Sequence, residues 1–244
     1  MIKVAVLGAA GRMGSTVCDA VESDDELDLV ARVDIDDSLD ELVGAGAEVA
    51  VDFTTPDSVR ANVAFCLDKG VHVVVGTTGL SEADLSEIGD RAAASPANVF
   101  VAPNFALGAV LMMQFAAQAA PFFDTAEIVE RHHEKKLDAP SGTALRTAAL
   151  MNGARQDAWA VTDASKETLE GSRGGDASGI RIHSLRVRGS VAHQEVVFGS
   201  AGETLTIRHD SLDRASFMPG VLLAVKNVSS LDGLTVGLEK LLDL

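Results

Sequence analysis

The sequence predicts an α/β protein in two parts. A first half alternates strands and helices, and a second, α+β part carries a mixed or antiparallel sheet. Three observations carry this expectation. The opening run Ile2-Lys3-Val4-Ala5-Val6-Leu7 is apolar and β-branched, breaks at a glycine-rich turn and passes into a helix-forming stretch. Further short apolar runs follow, each ending in a turn, as in successive βαβ units. From Ile180 the strands are separated only by short glycine-containing turns, which reads as a meander of antiparallel neighbours. The architecture therefore changes after about residue 105.

The first strand leads into Gly8-Ala9-Ala10-Gly11-Arg12-Met13-Gly14, and a helix opens at Ser15-Thr16-Val17-Cys18. Strand, glycine turn and helix form the setting of a Rossmann-like dinucleotide fingerprint. Its glycines permit a tight turn and let a pyrophosphate sit against the helix N-terminus. The spacing here is G-x-x-G-x-x-G, not the commoner G-x-G-x-x-G. The second strand, Leu27–Val33, ends in Asp34, twenty residues past Gly14, where an acid ordinarily bonds the adenosine ribose. Gly8, Ala9, Ala10, Gly11, Arg12, Met13 and Asp34 are therefore candidate cofactor residues. Asp34 is followed by Ile35-Asp36-Asp37, and this negative charge disfavours a 2′-phosphate. NADH preference is expected, or use of both NADH and NADPH, since Arg12 is able to reach a 2′-phosphate from the glycine loop.

Three more apolar strands supply loops. Glu48–Asp52 runs into Phe53-Thr54-Thr55-Pro56, and Val71–Val75 into Gly76-Thr77-Thr78-Gly79. Asn98–Val101 runs into Ala102-Pro103-Asn104-Phe105. Ligands of open α/β sheets bind beyond the carboxyl ends of the strands, and small hydroxyl residues there suit a ribose or nicotinamide. Ala109–Phe123 reads as a buried helix; Gln114, Gln118 and Pro121 interrupt it too often for a bilayer span.

Against a formal net charge of -16, two histidines and three cationic residues fall within the six positions Arg131–Lys136. Leu137-Asp138-Ala139-Pro140 follows, and Ser141-Gly142-Thr143 then opens a helix-forming run. Pro140 resists continuation of a preceding helix and Ser141 is a natural N-cap. The backbone amides of Gly142 and Thr143 would face outward at the positive helix end, a seat for a carboxylate or phosphate. Gly142 allows close approach. His132 and His133 are able to carry a proton near neutral pH, and Lys136 supplies a fixed charge or a proton. Read singly, a His-His pair or a Lys-Lys pair is more often a solvated surface feature. No metal site is expected, because adjacent His132 and His133 point apart and no third ligand has suitable spacing.

Glu170–Gly179 reads as a flexible loop, either a mobile lid or a plain linker. In Ile180–Arg188 the apolar alternation slips near Ser184, which suggests a bulge. Phe217–Leu244 reads as helical and apolar, with a short strand at Leu234-Thr235-Val236. The 244 residues, 47% of them hydrophobic, suffice for one large or two modest domains with a sizeable core. Two cysteines, Cys18 and Cys66, on separate predicted helices fit a reduced, cytoplasmic compartment. No signal peptide is read, since the opening apolar run reaches a glycine loop too soon. The acidic balance disfavours nucleic acid as a partner.

His132-His133-x-x-Lys136-x-Asp138-Ala139-Pro140-Ser141-Gly142-Thr143-Ala144 resembles the signature of the dihydrodipicolinate reductase family. The loops at Gly76, Thr77 and Thr78 and at Ala102, Pro103, Asn104 and Phe105 also resemble that family's cofactor loops, so the resemblance spans essentially the whole chain. It implies a reductase of the lysine and diaminopimelate pathway that takes NADH and/or NADPH. The substrate would be a small cyclic dicarboxylate, 4-hydroxy-tetrahydrodipicolinate. It implies His132 and Lys136 as catalytic residues, and His133, Ser141, Gly142 and Thr143 as substrate-binding ones. It further implies a homotetramer built through the second domain's sheet. The dinucleotide domain would comprise residues 1–104 and 217–244, with 105–216 as the substrate and tetramerisation domain. Two rivals share the glycine loop: another two-domain reductase, such as an amino-acid or semialdehyde dehydrogenase, and a dinucleotide sensor without turnover. Neither accounts for the basic segment joined to the anion seat.

Overall fold

In a computed structural model, which describes residues 1–160 and 166–242, the chain divides into two units. One is Met1–Leu107 with Arg214 onward; the other is Gly108–Asp213.

The first unit alternates strands and helices as its apolar runs predict. Its elements are β1 (Ile2–Leu7), α1 (Arg12–Glu22), β2 (Leu27–Val33), α2 (Asp40–Gly44), β3 (Val49–Asp52), α3 (Pro56–Asp68), β4 (His72–Val75), α4 (Glu82–Ala93) and β5 (Val99–Val101). Every strand pairing among them is parallel. Parallel strands covered by helices on both faces are continuously apolar, and all four residues of β3 and all three of β5 are buried. α4 begins with a reciprocal capping box between Ser81 and Asp84. Cys18 on α1 and Cys66 on α3 are free and buried; burial pushes the Cys66 thiol up to about 12.

The second unit begins within α5 (Leu107–Ala119), which ends in a 3₁₀ turn, Ala120–Phe122, at Pro121. The helix buries Ala109, Val110, Met112, Met113 and Ala116, whereas Phe115 and Phe122 are exposed. Then come β6 (Thr125–His132), α6 (Gly142–Gly153), β7 (Gly175–Ala177), β8 (Ile180–Arg186), β9 (Ala192–Ser200) and β10 (Glu203–Ser211). The sheet order is β10-β9-β6-β8-β7. The sheet is mixed: β6 lies between β8 and β9, parallel to β8 and antiparallel to β9. The expected simple meander is therefore interrupted, because β8 and β9 are not neighbours. Part of the expected loop 170–179 is β7, paired antiparallel with β8. A Gly-Asp-Ala segment has little strand propensity, and its neighbour decides its conformation. Arg173 in the same stretch is ion-paired to Glu127.

The expected bulge at Ser184 is absent from the β6–β8 pairing, which runs unbroken from Glu127 with Arg181 to His132 with Arg186. The slip in apolar alternation has another cause. Side chains two apart on a strand share a face. Ile180 and Ile182 are followed on their face by Ser184 and Arg186, whose register partners are Glu130 and His132. Leu185, on the other face, is 40% exposed. The inward face changes from apolar to polar without any change of register.

The chain returns to the first unit through a 3₁₀ turn at Arg214–Phe217, α7 (Met218–Asn227) and β11 (Leu234–Val236). β11 pairs parallel with β5 and completes the order β11-β5-β4-β3-β1-β2. Asn98, just before β5, holds the returning segment. Its Nδ2 donates to the carbonyls of Val228 (3.1 Å) and Leu231 (2.7 Å), and its Oδ1 accepts from Gly233 N at 3.1 Å. Asp243 and Leu244, in the expected terminal helical stretch, lie outside the described residues. No helix among the described residues is long and apolar enough to cross a membrane.

Candidate active site

In the first unit the glycine loop is shaped by backbone crowding. Gly8 has φ +76°, and a Cβ there would lie 2.6 Å from the Phe53 carbonyl oxygen. A Cβ on Gly14 would lie 2.0 Å from the Gly8 carbonyl oxygen. Only hydrogen at both positions lets α1 start against the loop. Gly11 is the N-cap of α1 and gives no side-chain cap, so the head of that helix is plain backbone. Ala10, Gly11 and Arg12 are exposed there, and Met13 is half-buried.

Asp34 joins this loop from the end of β2. Its Oδ1 accepts from Ile35 N at 2.9 Å and its Oδ2 from Ala10 N at 2.6 Å. These two amides, Ile35 first, hold its carboxyl below the usual range. Such a cradle of small residues, with an acceptor at its rim, fits a dinucleotide: pyrophosphate at the helix head, ribose hydroxyls at Asp34.

The other candidate loops divide into inward and outward residues. Thr77 is buried; its hydroxyl donates to Asp52 Oδ1 at 2.7 Å and accepts from Thr54 N at 2.8 Å. Asp52 is itself fully buried and also accepts from Asn62 Nδ2 at 2.8 Å. Thr77 thus ties the β3 and β4 loops together instead of facing outward. Phe105 is core as well, 6.0 Å from the Phe53 ring and 6.2 Å from Phe100. Ala102 is buried, Thr78 and Pro103 are exposed, and Gly76 and Asn104 are half-buried. Asn104 Oδ1 accepts from Ala106 N at 2.9 Å.

In the second unit, β6 delivers the basic segment. Its alternation buries Ala126, Ile128 and Glu130. His132 follows on the same face. A turn comes next, with Lys136 N donating to the His133 carbonyl at 3.1 Å. Lys136 Nζ bonds Asp138 Oδ1 at 2.7 Å, and this ammonium holds the Asp138 carboxyl below the usual range. Lys135 is exposed and His133 half-buried.

Ser141 is the N-cap of α6, and its hydroxyl accepts from Ala144 N at 3.2 Å. Gly142 and Thr143 form the first turn at the positive end of the helix. A Cβ placed on Gly142 would meet no atom within 4 Å, so the space beside its Cα is open. The expected capped helix start is therefore present at Ser141–Thr143. The first turn is also tied to the sheet: Thr147 donates to the Thr143 carbonyl at 2.7 Å and accepts from Gln194 Nε2 on β9 at 2.7 Å.

Beneath the seat lies a charged group that the sequence reading gave no role. Glu130 has no exposed surface. Its Oε1 accepts from Arg186 Nη2 at 3.0 Å and from Ser141 N at 3.3 Å. Its Oε2 accepts from Arg186 Nη1 at 3.0 Å and contacts His132 Nδ1 at 2.5 Å. Burial works against the ionised carboxylate, but hydrogen bonds from Arg186, the Ser184 side chain and His132 outweigh it and hold the Glu130 pKa below the usual value. Burial pushes the His132 pKa down; Glu130 opposes this, while Lys136 and Arg186 reinforce it. The balance favours the neutral imidazole of His132. The signal for Glu130 and Arg186 was present as alternation: Glu130 is two residues from His132, and Arg186 falls on the apolar phase of β8.

No group of three or more His, Cys, Asp or Glu placed to hold a metal occurs among the described residues. A glycine-loop α/β unit on the same chain as a basic segment leading into a capped helix start is the arrangement expected of a pyridine-nucleotide-dependent reductase, and comparisons with known proteins bear that class out. Family models for the N-terminal part of dihydrodipicolinate reductase match residues 2–105, and those for its C-terminal part match 108–242. The chain belongs to the dihydrodipicolinate reductase family. It is 55% identical to the 4-hydroxy-tetrahydrodipicolinate reductase of Nocardia farcinica, covering 100% of this chain and 99% of that one. It is 54% identical to the enzyme of the same name from Mycobacterium sp. strain KMS, over 100% of both. A solved dihydrodipicolinate reductase from Paenisporosarcina sp. TG-14, bound to dipicolinate, superposes with a TM-score of 0.88 at 39% identity. That match covers 98% of this chain and 99% of that one.

Proposed function

We propose that this protein reduces 4-hydroxy-tetrahydrodipicolinate to tetrahydrodipicolinate with NADH or NADPH, a step of lysine and diaminopimelate biosynthesis. One observation carries the reading. His132 Nδ1 and the Ser141 amide at the start of α6 meet on one carboxylate, Glu130, with Lys136 near His132, on a chain that matches full-length reductases of that name. The first unit then holds the cofactor and the second the substrate, and homotetramer formation through the second unit's sheet is part of the same proposal.

Gly8, Ala9, Ala10, Gly11, Arg12 and Met13 would cradle the pyrophosphate and Asp34 the adenosine ribose, with the loops at 76–78 and 102–105 beside the nicotinamide end. The bound cofactor supplies a hydride to the substrate ring after loss of the 4-hydroxyl group as water. The chain's own residues do the rest. The amides of Gly142 and Thr143, behind the Ser141 cap, receive one substrate carboxylate, helped by His133. The neighbouring cations stabilise the negative charge that grows on the conjugated ring. Lys136 delivers the proton that quenches it, exchanging its contact with Asp138 for the ring. His132 acts as proton donor and acceptor beside it.

NADH is the preferred cofactor. Asp34 lies at the ribose position, and Asp37 accepts from Asp34 N at 2.9 Å, which keeps a second carboxylate nearby. Both oppose a 2′-phosphate. The test couples the protein to a synthase that makes the substrate from pyruvate and aspartate semialdehyde, following loss of nicotinamide absorbance. Synthase-dependent oxidation, faster with NADH, is expected. Folded protein that oxidises neither cofactor would overturn the reading, and faster oxidation of NADPH would overturn the preference.

A further inference from the structure

We propose that Glu130 is a positioning residue that acts through His132, fixing the imidazole with its proton on Nδ1 and presenting Nε2 as the working nitrogen. This rests on the proposed reductase reading for its consequence in turnover, but the tautomer itself is independent of that reading.

The argument starts from hydrogen-bond capacity. An ionised carboxylate only accepts. Glu130 is fully buried, and each of its oxygens takes one arm of the Arg186 guanidinium at 3.0 Å. The carboxylate also accepts from the Ser184 side chain, from Ser141 N at 3.3 Å and from His132 Nδ1 at 2.5 Å. With Arg186 paired in this bidentate way, Glu130 stays ionised, so the hydrogen in the short contact belongs to His132. A neutral imidazole carries one N–H, and one placed on Nδ1 leaves Nε2 as a lone-pair acceptor. Arg186 is itself held from a second side by the Asp138 carbonyl at 2.5 Å, so the carboxylate cannot swing away without breaking several contacts.

The charged groups facing His132 are Glu130 on its own strand, Arg186 across the β6–β8 register and Lys136 on the following turn. Two of the three are cations. The carboxylate is therefore the group that both orients the ring and supports any imidazolium formed during proton transfer. A carboxylate behind a working histidine serves this purpose in other catalytic settings.

Nitrogen-15 NMR of the ligand-free protein at pH 8, with the His132 signal assigned by its loss in His132→Gln, reads the tautomer directly. A protonated Nδ1 is expected; a protonated Nε2 overturns the proposal, whatever reaction the protein catalyses. The second arm is a double-mutant cycle on turnover. Glu130→Gln should lower kcat by about 100-fold or more, the scale of general acid–base catalysis. It should cost little further in a His132→Ala background. A full, undiminished loss there would make Glu130 merely a structural ion-pair partner of Arg186, and would sink the proposal. Should Glu130→Gln fail to fold, the wild-type spectrum still decides. Absence of turnover in wild-type protein with a protonated Nδ1 would instead sink the reductase reading alone.

Discussion

The heads of α1 and α6 are both proposed anion seats, and they are built in opposite ways. At α1 the N-cap is Gly11 with no side-chain cap, and no acidic residue occupies the first turn. Everything there is backbone, and the nearby carboxylate, Asp34, stands at the rim on two amides. At α6 the N-cap Ser141 bonds Ala144 N, and its own amide rests on a carboxylate with no exposed surface. The first design suits a bulky diphosphate that needs close approach and no fixed proton. The second suits a small carboxylate beside a proton transfer, where orientation matters more than room. Charge makes the same distinction: around the α6 head the buried Glu130 carboxylate is paired with Arg186 and Lys136 stands near His132, whereas Arg12 opens the α1 helix.

Three substitutions break or sharpen this contrast. The largest effect is expected from Lys136→Ala, which removes the proposed proton donor. Turnover should fall by roughly 100- to 10,000-fold, while NADH affinity, measured by fluorescence titration, changes little. Equal losses in both would contradict the division of labour. Next comes Gly14→Ala, which forces a Cβ to within 2.0 Å of the Gly8 carbonyl oxygen. It should destabilise the first unit by about 1–3 kcal/mol, as overpacking does. NADH binding, measured by fluorescence titration, should be abolished. Retained NADH binding would mean the loop has room to shift. The smallest effect belongs to Ser141→Ala. Loss of one cap costs about 1 kcal/mol, seen as a modest fall in thermal midpoint together with a raised KM for the proposed substrate. An unchanged midpoint would show that Glu130 and Gln194, not the hydroxyl, hold the head of α6.

Most of the α1 side of this comparison was legible in the sequence, and less of the α6 side. Glycine spacing, β-branched strands and an acid at a strand end act locally, so Ile2–Asp34 announces its own structure. Ser141 as a cap is equally local. Glu130, Arg186 and Gln194 act across strands whose pairing is set by the whole sheet. A mixed order that inserts β6 between β8 and β9 leaves no mark in any short window. The slip in alternation at Ser184 was a true signal read as a bulge. It marks the place where the buried face turns polar. Thr77 and Phe105 teach the converse: both lie in loops at strand ends, yet packing against Asp52 and Phe53 turns their side chains inward.

The tie between Asn98 and the segment before β11 sets a timetable for synthesis. Asn98 reaches carbonyls and an amide at sequence separations of 130 to 135 residues. Until the ribosome has made that segment, β5 lacks its outer neighbour and α7 has yet to pack on the first unit. The second unit, Gly108–Asp213, is complete in sequence well before then. The middle of the chain is therefore able to fold first, and the glycine-loop unit, whose residues are translated earliest, waits longest for its full sheet.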